Sequence, residues 1–178
     1  MNFALYEANG VEPMPGNRIV YDLGRGEAGF GAATVDGPAL VWELAEYGGE
    51  GASLSAELDL DRSVDWLMRC DRVDFPPGSI AYRHTHPGPG IRRLLHGELT
   101  IETADGERTY GAGGAWFEGA DFPVLATASA SEETAFVRVM LLPREWEGRR
   151  TIRYVDRADE EKPRLQRATI LLEQPIEL

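Results

Sequence analysis

The sequence predicts an all-β protein, a sandwich or barrel of many short strands, and three observations carry that expectation. Short β-compatible runs such as Arg18-Ile19-Val20-Tyr21 and Ala39-Leu40-Val41-Trp42-Glu43-Leu44 alternate with Gly-rich breaks at 24–31 and 48–51. Helical periodicity is not sustained over any window longer than roughly ten residues, and the segment 156–162 has room for about two turns. Turn signals recur between the runs, as they do in strand-rich sandwiches and barrels.

Taken in order, residues 1–16 hold Gly10, Pro13, Pro15 and Gly16 and read as an arm or an ill-ordered start. Further strands follow to about residue 60. Between 65 and 75 the apolar positions are Trp66, Met68 and Cys70, then Val73 and Phe75. That change of parity suggests a bulge or a bent strand. Pro76-Pro77-Gly78 breaks the run, and strand signals resume at 80–86, 91–103, 115–118 and 135–142, with Ala104-Asp105-Gly106 as a hairpin turn. After Pro143, β-like runs appear at 151–155 and 168–172. The expected organisation is an arm with extra strands packed on a barrel (1–60), a core barrel (61–143) and a C-terminal extension (144–178).

The whole-chain numbers exclude several function classes. With 178 residues, 43% apolar and 27% charged, the chain fits one globular domain. A net charge of -12 with no basic cluster argues against nucleic acid, whose affinity comes from Lys and Arg on phosphates. No run approaches the ~18 apolar residues of a membrane helix. The first residues show no basic segment ahead of an apolar one, so the expected compartment is the cytoplasm. Cys70 is the one cysteine, which leaves no intrachain disulfide, and it reads as a packed core residue. Phosphate-loop, dinucleotide and serine-elbow motifs are missing.

The chemistry-bearing stretch is 78–97: Gly78, then His84-Thr85-His86, then Pro87-Gly88-Pro89 and a β-rich run to Gly97. Strand side chains alternate faces, so Tyr82, His84 and His86 are expected on one wall of a cavity. Together with Leu95-His96-Gly97-Glu98-Leu99-Thr100-Ile101 and Ala112-Gly113-Gly114-Ala115-Trp116-Phe117-Glu118, this stretch resembles the two conserved motifs of the cupin superfamily. The resemblance covers about 73–142. It implies a jelly roll, or double-stranded β-helix barrel, and a divalent metal (Fe, Mn, Ni or Zn) held by His84 and His86. It also marks departures. Gly90 stands where the family has a glutamate and Val124 where it has a closing histidine, while Gly119 and Asp121 replace a proline and a glycine.

Arg92 lies two residues past Gly90, about 6 to 7 Å along the strand on the same inward face. A guanidinium there repels a metal and attracts a carboxylate or phosphate. Tyr82, Trp116 and Glu118 join it as expected pocket lining, with Phe117 beside them, and Glu118 offers a substitute ligand or a base. Arg138 reads as a surface arginine that would assist Arg92 if it pointed inward. His96, ~20 Å along the strand from Gly90, reads as structural or surface.

Three functional readings follow. In the first, the barrel binds a small anionic, carboxylated metabolite, with at most a weak two-histidine metal. The alternative is a metal-dependent enzyme of oxygenase or isomerase type, using His84, His86 and a further ligand such as Glu118. The third is an inert barrel filled by Leu94, Trp116 and Val124. Exposed sheet edges lead to the expectation of a homodimer.

Overall fold

The computed structural model describes residues 1–178. The first five strands are β1 (Asn2–Val11), β2 (Asn17–Asp22), β3 (Glu27–Phe30), β4 (Val35–Ala45) and β5 (Leu54–Glu57). They form one antiparallel sheet in the order β3-β2-β4-β1-β5. The next ten are β6 (Trp66–Phe75), β7 (Ile80–Thr85), β8 (Gly90–His96), β9 (Glu98–Thr103), β10 (Gly106–Gly111), β11 (Ala115–Glu118), β12 (Val124–Ala128), β13 (Thr134–Pro143), β14 (Arg153–Tyr154) and β15 (Arg167–Ile176). They divide into a second sheet, β10-β9-β12-β7-β14, and a third, β11-β8-β13-β6-β15. Helical structure is confined to 3-10 turns at Arg144–Trp146 and Arg157–Glu161. No helix is long and apolar enough to cross a membrane.

The third sheet is the middle layer, because its strands carry apolar side chains on both faces. Phe3, Leu5, Ile19, Tyr21, Leu40, Trp42 and Leu44 of the first sheet recur every second residue and pack on Met68, Cys70, Ile91, Val137, Val139 and Leu141 of the third. Each such side chain contributes roughly 1.5–3 kcal/mol by burial. Trp42 also donates its Nε1–H to the Ile91 carbonyl at 3.2 Å, which leaves its one polar group satisfied. On the opposite face, Val73, Phe75, Leu94, Trp116 and Phe136 meet Leu99, Ile101, Val124 and Ala126 of the second sheet. Those two sheets enclose the barrel.

Two sequence expectations are corrected here. Residues 2–11 are no arm: β1 lies inside the first sheet, hydrogen-bonded to β4 on one edge and to β5 on the other. The small and polar residues Ala4, Ala8, Asn9 and Gly10 hid this strand, and its partners lie 24 to 55 residues away, with Ala4 opposite Glu43. The parity change in 66–75 is also no bulge. β6 pairs with β13 in unbroken register from Trp66 opposite Pro143 to Phe75 opposite Thr134. Its two apolar sets face different layers, with Met68 and Cys70 toward the first sheet and Val73 and Phe75 toward the barrel. A central strand covered on both sides needs no single-face alternation.

Chain reversals follow the anticipated punctuation, including the β9–β10 hairpin that closes with Thr103 opposite Gly106. The run 91–103 is divided at Gly97, whose φ of +78° favours glycine and where a Cβ would come within 2.5 Å of the Glu133 carbonyl oxygen. His96, just before that turn, is exposed and holds the same carbonyl at 3.2 Å through Nδ1.

Candidate anion pocket

Strand pairing aligns four side chains in one row across the barrel wall. Arg138 on β13 stands opposite Asp71 on β6 and opposite Arg92 on β8, and Arg92 stands opposite Trp116 on β11. Arg92 points inward as the two-residue period predicts and is 1% exposed. Its Nη1 donates to the Gly90 carbonyl at 2.6 Å. A Cβ at position 90 would lie 2.9 Å from Nη1 and 2.7 Å from the Val139 carbonyl oxygen. The guanidinium therefore occupies the space that a side chain at 90 would need.

Glu118 also points inward. Its Oε2 is 2.7 Å from Arg92 Nη2, and its Oε1 accepts the Trp116 indole N–H at 2.8 Å. The Arg92 contact is an ion pair without hydrogen-bond alignment, so Nη2 is buried with no hydrogen-bond partner. Burial draws the Arg92 pKa down to about 10, against the opposing pull of Glu118, and the group stays cationic at neutral pH. Phe117, between the two inward residues, faces outward and is exposed.

Arg138 is the second inward cation, contrary to its reading as a surface residue. Its Nε and Nη2 donate to Asp71 Oδ2 at 3.0 and 2.9 Å, and its Nη1 donates to His86 Nε2 at 3.1 Å. A run of apolar neighbours around an arginine gave no sign of the carboxylate waiting on the adjacent strand. Asp71 is fully buried and also accepts Arg69 Nε at 2.7 Å on Oδ1. One carboxylate thus serves two guanidiniums, an arrangement tolerated in a dry interior only while the partners stay in place.

The histidines have fixed and different roles. A guanidinium only donates, so His86 Nε2 is an acceptor and its proton sits on Nδ1, which donates to Thr151 Oγ1 at 3.1 Å. Burial, reinforced by Arg138, holds the His86 pKa well below the usual imidazole range. His84 donates Nδ1–H to the Tyr82 carbonyl at 2.7 Å, leaving Nε2 as a free acceptor. Burial lowers its pKa too, partly offset by Glu118.

Tyr82 does not share this wall. On β12, Val124 and Ala126 are two residues apart, whereas their partners His84 and Ala81 on β7 are three apart, so β7 carries an extra residue at 82–83. The bulge resets the parity. Ala81, His84 and His86 line the cavity, while Tyr82 turns away to lie under Lys162, whose Nζ is 4.4 Å from the ring centroid.

These side chains surround a cavity of about 380 Å³. Its lining includes Arg69, Arg92, Arg138, Arg149, Arg150 and Arg164, against Glu118 as the one carboxylate. The inert-barrel expectation therefore fails. Trp116 and Val124 line this space without filling it, and Leu94 packs beside it in the core. Residues after Pro143 build part of the wall. Thr151 anchors His86, the Arg149 carbonyl accepts Arg69 Nη1 at 2.6 Å, and β14 and β15 add to the edges of the two barrel sheets. Arg69, Asp71 and Thr151 were not identified from the sequence. Charged residues in the 66–75 run were the available signal for the first two, whereas Thr151 carried none.

The donor set does not fit the expected divalent metal. His86 Nε2 is occupied by a guanidinium, Glu118 by Arg92 and Trp116, and Val124 places an apolar side chain beside His84. No three His, Cys, Asp or Glu side chains converge. A catalytic metal usually takes three protein ligands. Here one imidazole nitrogen is left among cations, and two unit charges 4 Å apart repel by about 4 kcal/mol at an effective dielectric of 20.

No protein-family model matches the chain, and no curated protein does. Solved structures do match. The polyketide cyclase RemF from Streptomyces resistomycificus is 18% identical with a TM-score of 0.41, over 49% of this chain and 61% of the cyclase. An RmlC-like cupin from Shewanella frigidimarina is 17% identical with a TM-score of 0.40, over 44% of this chain and 68% of its own. A cupin 2 conserved barrel domain protein from Leptotrichia buccalis is 16% identical with a TM-score of 0.39, over 78% and 73%. The chain thus spans about three-fifths of the cyclase, and the likeness concerns the fold. Two antiparallel five-stranded sheets closing on the inward His84 and His86 make this part of the chain a β-barrel, and two of these solved structures carry the name cupin.

Proposed function

We propose that the protein is a small-molecule-binding cupin whose barrel takes an anionic, carboxylated metabolite. The observation that carries this reading is the charge of the cavity. In a chain of net charge -12, six arginines and a single carboxylate line one pocket. Arg92 supports it directly, since its guanidinium is fully buried in the lining and its Nη2, 2.7 Å from Glu118 Oε2, makes no aligned hydrogen bond. A carboxylate oxygen would supply one, and charge-assisted bonds to a guanidinium are about twice as strong as neutral ones. The arginines Arg149, Arg150 and Arg164 are exposed and would draw an anion inward at low ionic strength.

The test is thermal unfolding and calorimetric titration with small carboxylates and their uncharged amides. Carboxylates are expected to raise Tm, by about 2.7 kcal/mol of stabilisation at a hundredfold excess over Kd, and the amides are not. The double variant Arg92→Met/Glu118→Gln removes the ion pair without leaving a lone buried charge and is expected to lose this response. Equal response to acid and amide, or a response unchanged in the variant, would overturn the reading.

A further inference from the structure

Resting on that anion-binding reading, we infer that the ligand is an amphipathic monocarboxylate: a planar apolar body with a hydroxyl next to its carboxylate. The cavity is polar in one row and apolar in the next. Beside the Asp71–Arg138–Arg92 row, β6, β13 and β8 place Val73, Phe136 and Leu94 in register. The lining at that end is Val73, Phe75, Ala81, Ile101, Val124 and Phe136.

Its surfaces are aromatic and flat. The Phe136 ring lies 5.9 Å from Phe75 and 5.4 Å from Trp116, centroid to centroid. The Trp116 N–H is already committed to Glu118. Those six side chains offer no hydrogen-bond partner to a hydroxylated sugar or a second carboxylate, and each polar group stranded there costs about 1–3 kcal/mol. A phenyl-sized body gains roughly 1.5–3 kcal/mol instead. The volume of about 380 Å³ lies within the range of small-molecule sites, roughly 300–1,000 Å³.

His84 specifies the third feature. Its Nδ1–H is held by the Tyr82 carbonyl, so Nε2 can only accept, and a ligand must bring a donor to it. The ring stands 5.0 Å, centroid to centroid, from that of His86, whose Nε2 accepts from Arg138 at 3.1 Å. The donor therefore belongs near the end of the ligand that meets the guanidiniums. A 2-hydroxy acid with an aryl or similarly flat apolar substituent has all three features.

Calorimetric titration of the full chain with phenylacetate, mandelate, lactate, inorganic phosphate and 2-phenylethanol tests this. Phenylacetate is expected to bind at least about tenfold tighter than lactate or phosphate. Mandelate is expected to gain a further factor of about 3 to 10 from its hydroxyl. In His84→Phe the mandelate-to-phenylacetate affinity ratio is expected to fall to about one, and that ratio in the unaltered protein stands whether or not the variant folds. Lactate or phosphate matching phenylacetate would overturn the apolar body and leave the anion reading intact. No gain for mandelate would overturn the hydroxyl. Binding of 2-phenylethanol as tight as phenylacetate, or no binding of any probe up to roughly 10 mM, would overturn the anion reading and this inference with it.

Discussion

The two faces of β6 and β13 carry neighbouring residues into opposite environments. Toward the first sheet, Met68, Cys70, Val137, Val139 and Leu141 join an apolar cluster of thirteen buried residues. One residue away along the same strands, Arg69, Asp71 and Arg138 turn toward the barrel as buried charges. The difference teaches a division of labour. The sealed face supplies burial energy and needs no directional bonds, while the barrel face holds charges whose desolvation is offset only by exact partners. Cys70 illustrates the first environment: burial pushes its thiol far above the usual range, so it packs as a small apolar side chain rather than a nucleophile.

The largest break in this comparison is expected from the sealed face. Trp42→Ala removes the largest fully buried side chain and its bond to Ile91, and should lower unfolding free energy by about 4 kcal/mol in urea titrations. A loss under about 1 kcal/mol would mean that the first sheet contributes little to holding the barrel.

The barrel face gives the next effect. Arg92→Met leaves the Glu118 carboxylate buried beside a neutral side chain and should cost about 3 kcal/mol. Adding Glu118→Gln is expected to recover most of that loss. Failure of the second change to rescue the first would show that Arg92 acts through packing rather than charge.

The smallest effect is a pH dependence confined to the same face. Burial holds both histidines below the ordinary value of 6.5. As pH falls through 6.5 the unfolded chain takes up protons that the folded chain does not. Their contribution to stability is thus complete above about pH 6.5 and is lost progressively below it, by no more than about 1.4 kcal/mol per pH unit for each histidine. Denaturant midpoints between about pH 7 and 5.5 should therefore decline, and a flat profile would place both imidazoles in contact with solvent.

Much of this was legible in the residues. The short strands and turns, the placement of His84 and His86 on one wall and the inward aim of Arg92 follow from alternation along a strand, whereas the inward turn of Trp116 and Glu118 is set by the pairing of β11 with β8. Tyr82 was misplaced because a single inserted residue in β7 reverses parity, and nothing in its neighbourhood marks the bulge. Arg138 was misread because its partners, Asp71, His86 and Thr151, lie on other segments. β12, Val124–Ala128, lacked a strand signal in its alanines, yet it sits between β9 and β7 as an inner strand.

By itself, then, the sequence determined the class of fold, the acidic balance of the chain and the absence of a metal-ligating side chain at Gly90 and Val124, because these depend on residue type and local period. The tertiary structure alone decided that a guanidinium fills the space beside Gly90, that another takes the His86 lone pair, and that the C-terminal segment roofs the cavity with arginines. The physical reason is reach. Alternation fixes which face a side chain takes, but charge pairing, tautomer and cavity shape are set by groups distant in the chain that only the packed sheets bring within hydrogen-bond reach.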